Sequence, residues 1–363
     1  MEIVIMTIKN TIYSAHQRLE QVANIPVKRS HVYELIAAAF GFNTYASLTS
    51  KAILIQRESS GSVDAVNLGL IQQRSVELGY GNIFTAELPM IMRDQRISTL
   101  IFADLIAQLR SDDYFDRYDW ERDDSDLLDS IEIFRALELS AKAGNPLAHY
   151  VLALHHDNSD ENGKGGAGND YWYKQMQSGR ELSGIEKEFA LTYQRQLSSD
   201  NKYHYHLREA TRFGCDLALL DLAEKFDDHA FFEGNYRDVD AHPMRIAEIA
   251  DGLGRSDDRR YWLAVAADTG NIGAMRESIK NHENEDPLRC WTWVYLSQLL
   301  GEDLTQDNHY AIHENGSLYD DDIGGPMFVD GVDGIELQPL ESGQDQQAKT
   351  NAESLFNRMN MTN

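Results

Sequence analysis

A glycine recurs along this chain directly behind apolar stretches of helical periodicity, at positions 144, 179, 214, 270 and 301. In the clearest copy, residues 261–275, Trp262 precedes Gly270 by eight positions, and Ala266 and Ala267 fall on the helix face of the tryptophan. Small side chains on that face let a second helix approach closely, and glycine tolerates the left-handed conformation that ends a helix. Each glycine therefore predicts the end of one helix and the start of the next.

The glycines are spaced by 35, 35, 56 and 31 residues. A period in the mid-thirties is typical of stacked helical pairs, because one helical hairpin cannot bury its own apolar face. The interval of 56 predicts an insertion of about 20 residues around 226–258, with Pro243 beginning a helix after it. We predict an all-α fold, an α-α superhelix of helical repeats, whose structural signature residues are Ala141, Gly144, Gly179, Ala210, Gly214, Trp262, Ala266, Ala267, Gly270, Trp293 and Gly301.

The copies that end at Gly144 and Gly270 resemble the Sel-one-like repeat (SLR), a relative of the tetratricopeptide repeat, of the type found in bacterial proteins. The resemblance extends over roughly 125–305. SLR proteins are superhelical solenoids that serve as assembly and signalling scaffolds. The resemblance therefore implies a curved groove that holds a protein or peptide partner, without catalysis.

The patterning divides the chain into four segments: a small N-terminal helical module over 1–57, a helical lead-in over 58–124, the repeat array over 125–305 and a C-terminal extension over 306–363. In the N-terminal module we expect three short helices. The first ends before Pro26, the second is capped by Ser30 and closed by Gly41, and the third starts at Asn43. In the lead-in, the apolar spacing predicts a pair of helices over 85–110.

The C-terminal extension has a different pattern from the array. Alternating apolar residues predict a short β-hairpin, in which Met327 to Val329 pair with Ile335 to Leu337 across a turn at Asp330 to Gly334. The segment from Gln344 to Met359 is amphipathic. We expect it to form a helix that packs back on the array as a cap.

The net charge of −26, with a pI near 4.7, argues against general binding to nucleic acid and to anionic membranes. A basic protein partner would instead associate faster with such a chain. The first ten residues contain Glu2 and only a short apolar run before Lys9, which fits neither a signal peptide nor a membrane span. We therefore expect a soluble cytoplasmic protein; the residues leave open whether it forms a homo-oligomer.

Residues 112–129 contain nine acidic residues interspersed with aromatic ones. Two interpretations stay open. The segment is a solvated connection, or it is an acidic surface with aromatic anchors for a basic protein partner. In the second case the candidate partner-binding residues are Tyr114, Phe115, Tyr118 and Trp120.

The N-terminal module carries six basic and three acidic residues, so it supports an alternative function. A regulator could contact nucleic acid through this module, with candidate contacts at Lys28, Arg29, His31 and Asn43. The small excess of positive charge and the acidic remainder disfavour this alternative. The other interpretation of the N-terminal module is a docking module or a cap for the array.

We find no catalytic motif, and we predict neither a cofactor nor a metal site. The Gly-rich segment 157–170 lacks the Walker spacing and a preceding strand, so we interpret it as a loop. His309 and His313 lack the context of a helical metal motif, and the aspartates at 320–322, 330 and 333 fit no EF-hand. The two cysteines, Cys215 and Cys290, are expected to be buried thiols. The favoured function is a non-catalytic scaffold or adaptor.

Overall fold

Helices dominate the computed structural model of this chain, as the periodicity predicts. The structure describes residues 8–56, 66–110, 131–157, 170–234, 239–282, 286–320 and 325–362. Within these residues it contains 17 helices and two antiparallel strand pairs. The chain divides into two compact units, Met1–Leu219 and Leu220–Asn363.

The described part of the first unit begins with six helices and one strand pair, and all of these elements except the last helix contribute to one hydrophobic core. In chain order these elements are α1 Ile8–Ala23, α2 Arg29–Ala39, α3 Tyr45–Lys51, β1 Ala52–Gln56, α4 Leu68–Glu77, α5 Ile83–Asp94, β2 Ile97–Ile101 and α6 Phe102–Arg110. The three helices predicted for the N-terminal module are therefore confirmed. Side chains from α1, α2, α4 and α5, such as Leu19, Leu35, Ile71 and Leu88, are fully buried together. The lead-in thus packs into the same core as the first helices.

Local predictions in this region need three corrections. The predicted pair of helices over 85–110 is interrupted by β2, which pairs antiparallel with β1, so that Gln56 lies opposite Ile97. Arg96 has a left-handed backbone with φ 54°, which ends the chain reversal after α5, and the following β-branched residues suit a strand. Lys28, not Ser30, is the residue that caps α2, and it supplies no side-chain bond. Thr44 rather than Asn43 caps α3, because its side chain accepts from the Ser47 amide.

The first unit continues through α7 Ile131–Lys142, α8 Pro146–His155, α9 Tyr171–Gln177 and α10 Gly184–Arg212, followed by α11 Asp216–Phe226, within which the division between the units falls. The second unit contains α12 Ala230–Glu233, α13 Pro243–Gly252, α14 Ser256–Asp268, α15 Ile272–His282, α16 Pro287–Leu299, β3 Asn308–Ile312, β4 Phe328–Val332 and α17 Ser342–Thr362. From α13 to α16, each helix packs against the next one in sequence. Such sequential packing is typical of helical arrays.

All five predicted glycines end a helix with a left-handed backbone, at φ between 86° and 97°. At Gly270 the turn is closed by hydrogen bonds from its own amide to Ala267 and from the Asn271 amide to Ala266. Asn145 and Asn271 then cap the next helix, since their side chains accept from the amides three residues on. The helix-turn-helix units α7–α8 and α14–α15 are thus confirmed.

The interval between Gly179 and Gly214 departs from the predicted helical pair. It contains the single 29-residue helix α10, because no glycine or proline interrupts residues 185–213. After Gly301 the chain turns toward β3 instead of beginning another helix. Pro243 begins α13, as predicted for the end of the insertion. Gly254, which the spacing did not predict, closes α13 in the same left-handed conformation.

The predicted C-terminal hairpin is correct in type and wrong in its partner. β4 pairs antiparallel with β3, so that Ile312 lies opposite Phe328, and residues 335–337 form no strand. The Ile335 amide instead donates to the Leu304 carbonyl. The final helix is confirmed as α17, which packs on α16 and buries Ala348 and Ala352 completely. Both cysteines are buried, as expected.

Candidate interaction groove on helix α10

Helix α10 is long but only thinly covered by the rest of the first unit. Of its 29 residues, four are buried: Ala190, Tyr203, Leu207 and Ala210. The last three follow helical spacing, and α10 packs against both α8 and α9. Much of α10 is therefore left to face solvent.

A groove of about 410 Å³ lies between α9 and α10. Six of its lining residues recur at helical spacing on one face of α10, and the seventh comes from α9: Gln194, Leu197, Ser198, Asn201, Lys202, Tyr205 and Tyr173. The ring of Tyr173 packs on Tyr193, with 5.3 Å between centroids, which holds the short helix against the long one.

The groove combines apolar surface with hydrogen-bonding groups. Leu197 is 38% exposed and Tyr205 is 56% exposed, so both present apolar surface to solvent. Two amide side chains and one hydroxyl lie between them, and Lys202 is the single charged residue of the lining. Such a surface can accept an apolar side chain and hydrogen-bond to the main chain that carries it.

A cluster of histidines lies directly beside the groove, between α8 and α10. The Nδ1 atoms of His149 and His206 are 3.0 Å apart, so one neutral ring donates to the unprotonated nitrogen of the other. His149 is 5% exposed and stacks on Phe213, with 5.8 Å between centroids. Tyr205 connects the two features, because its ring contacts both His149 and His206 while it lines the groove.

Two further imidazoles extend the cluster at the end of α8. His156 stacks on His206, with 6.2 Å between centroids, and His155 contacts both His156 and Phe134. Burial lowers the pKa of His206 to about 4, and the neighbouring charges of His149 and Lys202 act in the same direction. Burial likewise lowers the pKa of His156 to about 4, with contributions from His155, Lys202 and His206.

The pKa of His149 is also lowered by burial, against the opposing effect of Glu209. His149, His156 and His206 are therefore neutral near pH 7 and pack as uncharged aromatic groups. Sequence reasoning did not find the cluster. Its members lie up to 57 positions apart, and the one available signal was the density of histidines near 149–156 and 204–206.

The repeat signature residues have structural roles. Ala141, Ala210, Trp262, Ala266, Ala267 and Trp293 are all buried. The Trp293 indole nitrogen donates to Asp268, at 2.8 Å, which links α16 to α14. None of these side chains lines the groove.

The candidate nucleic-acid contacts lie around α2. Lys28 and Arg29 are exposed at its start, and Asn43 is exposed beyond its other end. His31 is engaged by the Tyr80 hydroxyl, 2.9 Å from its Nδ1. The aromatic candidates Tyr114, Phe115, Tyr118 and Trp120 lie outside the described residues.

No protein-family model, curated protein or solved structure matches this chain. Among the helices that the structure describes, none combines the length and apolar content needed to cross a bilayer.

Proposed function

We propose that this chain is a non-catalytic interaction protein, and that the groove between α9 and α10 binds a peptide segment of a protein partner. The observation that carries the proposal is the groove itself, in which Leu197 and Tyr205 are exposed beside hydrogen-bonding side chains. Exposed apolar residues concentrated in a groove mark interaction sites more often than isolated ones do.

The lining indicates what the partner presents. An aliphatic or aromatic side chain packed between Tyr173 and Tyr205 would gain at most roughly 1.5–3 kcal/mol, the value for complete burial. The amide groups of Gln194 and Asn201 face the same space and can bond to the peptide main chain. With one lysine and no carboxylate in the lining, the groove takes the apolar anchor of the partner and not its charges.

The overall charge supports a basic partner. The chain as a whole carries a net charge of −26. A basic segment flanking the apolar anchor would be attracted to such a protein, and its association would weaken with added salt.

The SLR-like family assignment, the superhelical path of the array and the cytoplasmic location belong to the same proposal. The turns at Gly144 and Gly270 support the assignment, because each is followed by a capping asparagine and by a fully buried alanine at Ala148 or Ala274. This combination ends one helix, begins the next and lets the two pack closely.

A displayed peptide library tests the proposal. The full chain is used to select peptides, and the affinity of a selected peptide is measured by fluorescence anisotropy at low and high salt. We expect peptides with one apolar anchor beside basic residues. We expect Tyr205→Ala to weaken binding by more than about 1 kcal/mol, roughly fivefold or more.

Phe189→Ala is the matched control. Phe189 is an aromatic residue of α10 with similar exposure, 47%, and sixteen positions from Tyr205 it lies on the opposite face of the helix. Its substitution should leave peptide affinity unchanged. The proposal fails if no peptide is enriched, or if the two variants weaken binding equally.

A further inference from the structure

Three metal-ligating side chains meet at the open end of the β3–β4 pair. The register places His309 opposite Gly331, so Asp307 lies opposite Asp333 at the next position on the same face. One ligand atom from each of Asp307, His309 and Asp333 lies within 4.8 Å of those of the other two. All three side chains are exposed, so an ion can reach them from solvent.

The backbone that carries these side chains is held tightly. A Cβ atom added to Gly334 would lie 2.2 Å from the Thr305 carbonyl oxygen, so the two segments approach more closely than any other residue permits. The Gly334 amide donates to Asp307 Oδ1, at 2.8 Å, and Arg276 donates to the main-chain oxygen of Asp333, also at 2.8 Å. These contacts hold the main chain at Asp333 and one carboxylate oxygen of Asp307.

The charges at this position favour a cation. Asp307 and Asp333 are like charges directly opposed in an antiparallel pair, an arrangement that destabilises the pairing. His309 Nε2 and Asp333 Oδ1 form a hydrogen bond of 3.0 Å, and this separation is close to the roughly 3.3 Å between two ligands of a tetrahedral zinc ion.

We propose that Asp307, His309 and Asp333 bind a divalent transition-metal cation such as Zn²⁺ or Mn²⁺, with water completing the coordination. The imidazole distinguishes this set from a calcium or magnesium site, since those ions take oxygen ligands. The bound ion joins the segment before β3 to the segment after β4. The sequence did not indicate the site, because Asp333 is 24 residues from His309 and only the strand register brings them together.

Calorimetric titration of the chelator-treated full chain with Zn²⁺, Mn²⁺ and Ca²⁺ tests the proposal. We expect a single saturable transition-metal site. His309→Gln and Asp333→Asn should each lower its affinity by at least the roughly 10–100-fold lost when a partner of a metal ligand is removed.

Asp330→Asn is the matched control. Asp330 is an exposed residue of β4, opposite Tyr310, and it faces the other side of the ladder from Asp333. Its substitution therefore removes the same charge as Asp333→Asn without removing a ligand. The Asp330→Asn variant should bind the transition-metal ion with the affinity of the wild type. Absence of saturable binding, equal losses in Asp330→Asn and Asp333→Asn, or equal affinity for Ca²⁺ would each overturn the proposal in favour of a general acidic surface.

Discussion

Acidification is expected to loosen the packing of α8 against α10, because the histidine cluster between them folds in its neutral form. Burial lowers the pKa of His206 and of His156 from the ordinary 6.5 to about 4. Below pH 6.5 the opened segment therefore binds more protons than the folded one. The stability contributed by the neutral rings is complete above pH 6.5 and is lost as the pH falls from 6.5 toward 4.

The magnitude follows from the size of these shifts. At 1.36 kcal/mol per pKa unit, each shift would contribute roughly 3 kcal/mol to the opening free energy if no solvent screening reduced it. Because both rings are partly exposed, solvent screening reduces this to ~1–2 kcal/mol each, or ~2–4 kcal/mol together. Other groups facing the cluster act in both directions, since Lys202 and Arg212 oppose protonation and Glu209 favours it on His149.

Hydrogen exchange measured by mass spectrometry at several pH values, corrected for intrinsic exchange rates, provides the assay. We expect the opening free energy of peptides from α8 and α10 to fall by ~2–4 kcal/mol between neutral and acid pH. Peptides from α14 and α15 should change less. His206→Gln removes one of the two strongly shifted rings and should reduce the pH-dependent loss by about half.

The control variant is His229→Gln, an exposed histidine outside the cluster. It should show the full pH dependence of the wild type. The reasoning is refuted if α8 and α10 keep their protection down to pH 4, or if His206→Gln and His229→Gln respond to pH alike.

Two stability predictions follow from single contacts. Gly270→Ala should destabilise the second unit by ~1–2 kcal/mol in thermal unfolding, because the residue has φ 97° and the added Cβ would lie 2.9 Å from Met359 Sδ. Gly252→Ala, which meets no atom within 4 Å, should be neutral or slightly stabilising, and equal losses in both variants would contradict this account. Arg245→Met should lower the free energy of urea unfolding by more than about 1 kcal/mol, because it removes the cation paired with the carboxylate of Asp221, which is 3% exposed. A loss below about 1 kcal/mol, typical of an exposed pair, would contradict that prediction.

The helix ends of this protein could be predicted from the sequence because they depend on neighbouring residues. A left-handed residue is needed where the chain leaves a helix, and glycine meets that need at 144, 179, 214, 270 and 301. The asparagines that follow two of these glycines cap the next helix within three residues. Pro243 begins a helix for an equally local reason, since its missing amide hydrogen is not required there.

Strand pairing was predicted less well, because it depends on the partner. Residues 97–101 have the apolar spacing of a helix face, yet they pair with β1. Residues 335–337 alternate like a strand, yet β4 pairs with β3 instead. Periodicity describes one segment at a time and does not identify the segment that meets it.

The groove and the two histidine-containing sites likewise depend on contacts between segments that are far apart in the chain. The sequence predicted a helical pair between Gly179 and Gly214, whereas the structure has one helix there, Gly184–Arg212, and the elements packed against that helix decide which of its faces is left uncovered. His149 meets His206, and His309 meets Asp333, only because folding brings together segments that are far apart in the chain. Local backbone preferences act over a few residues and can be read along the chain. Burial, register and charge contacts are decided by which segments pack together, and that choice belongs to the tertiary structure.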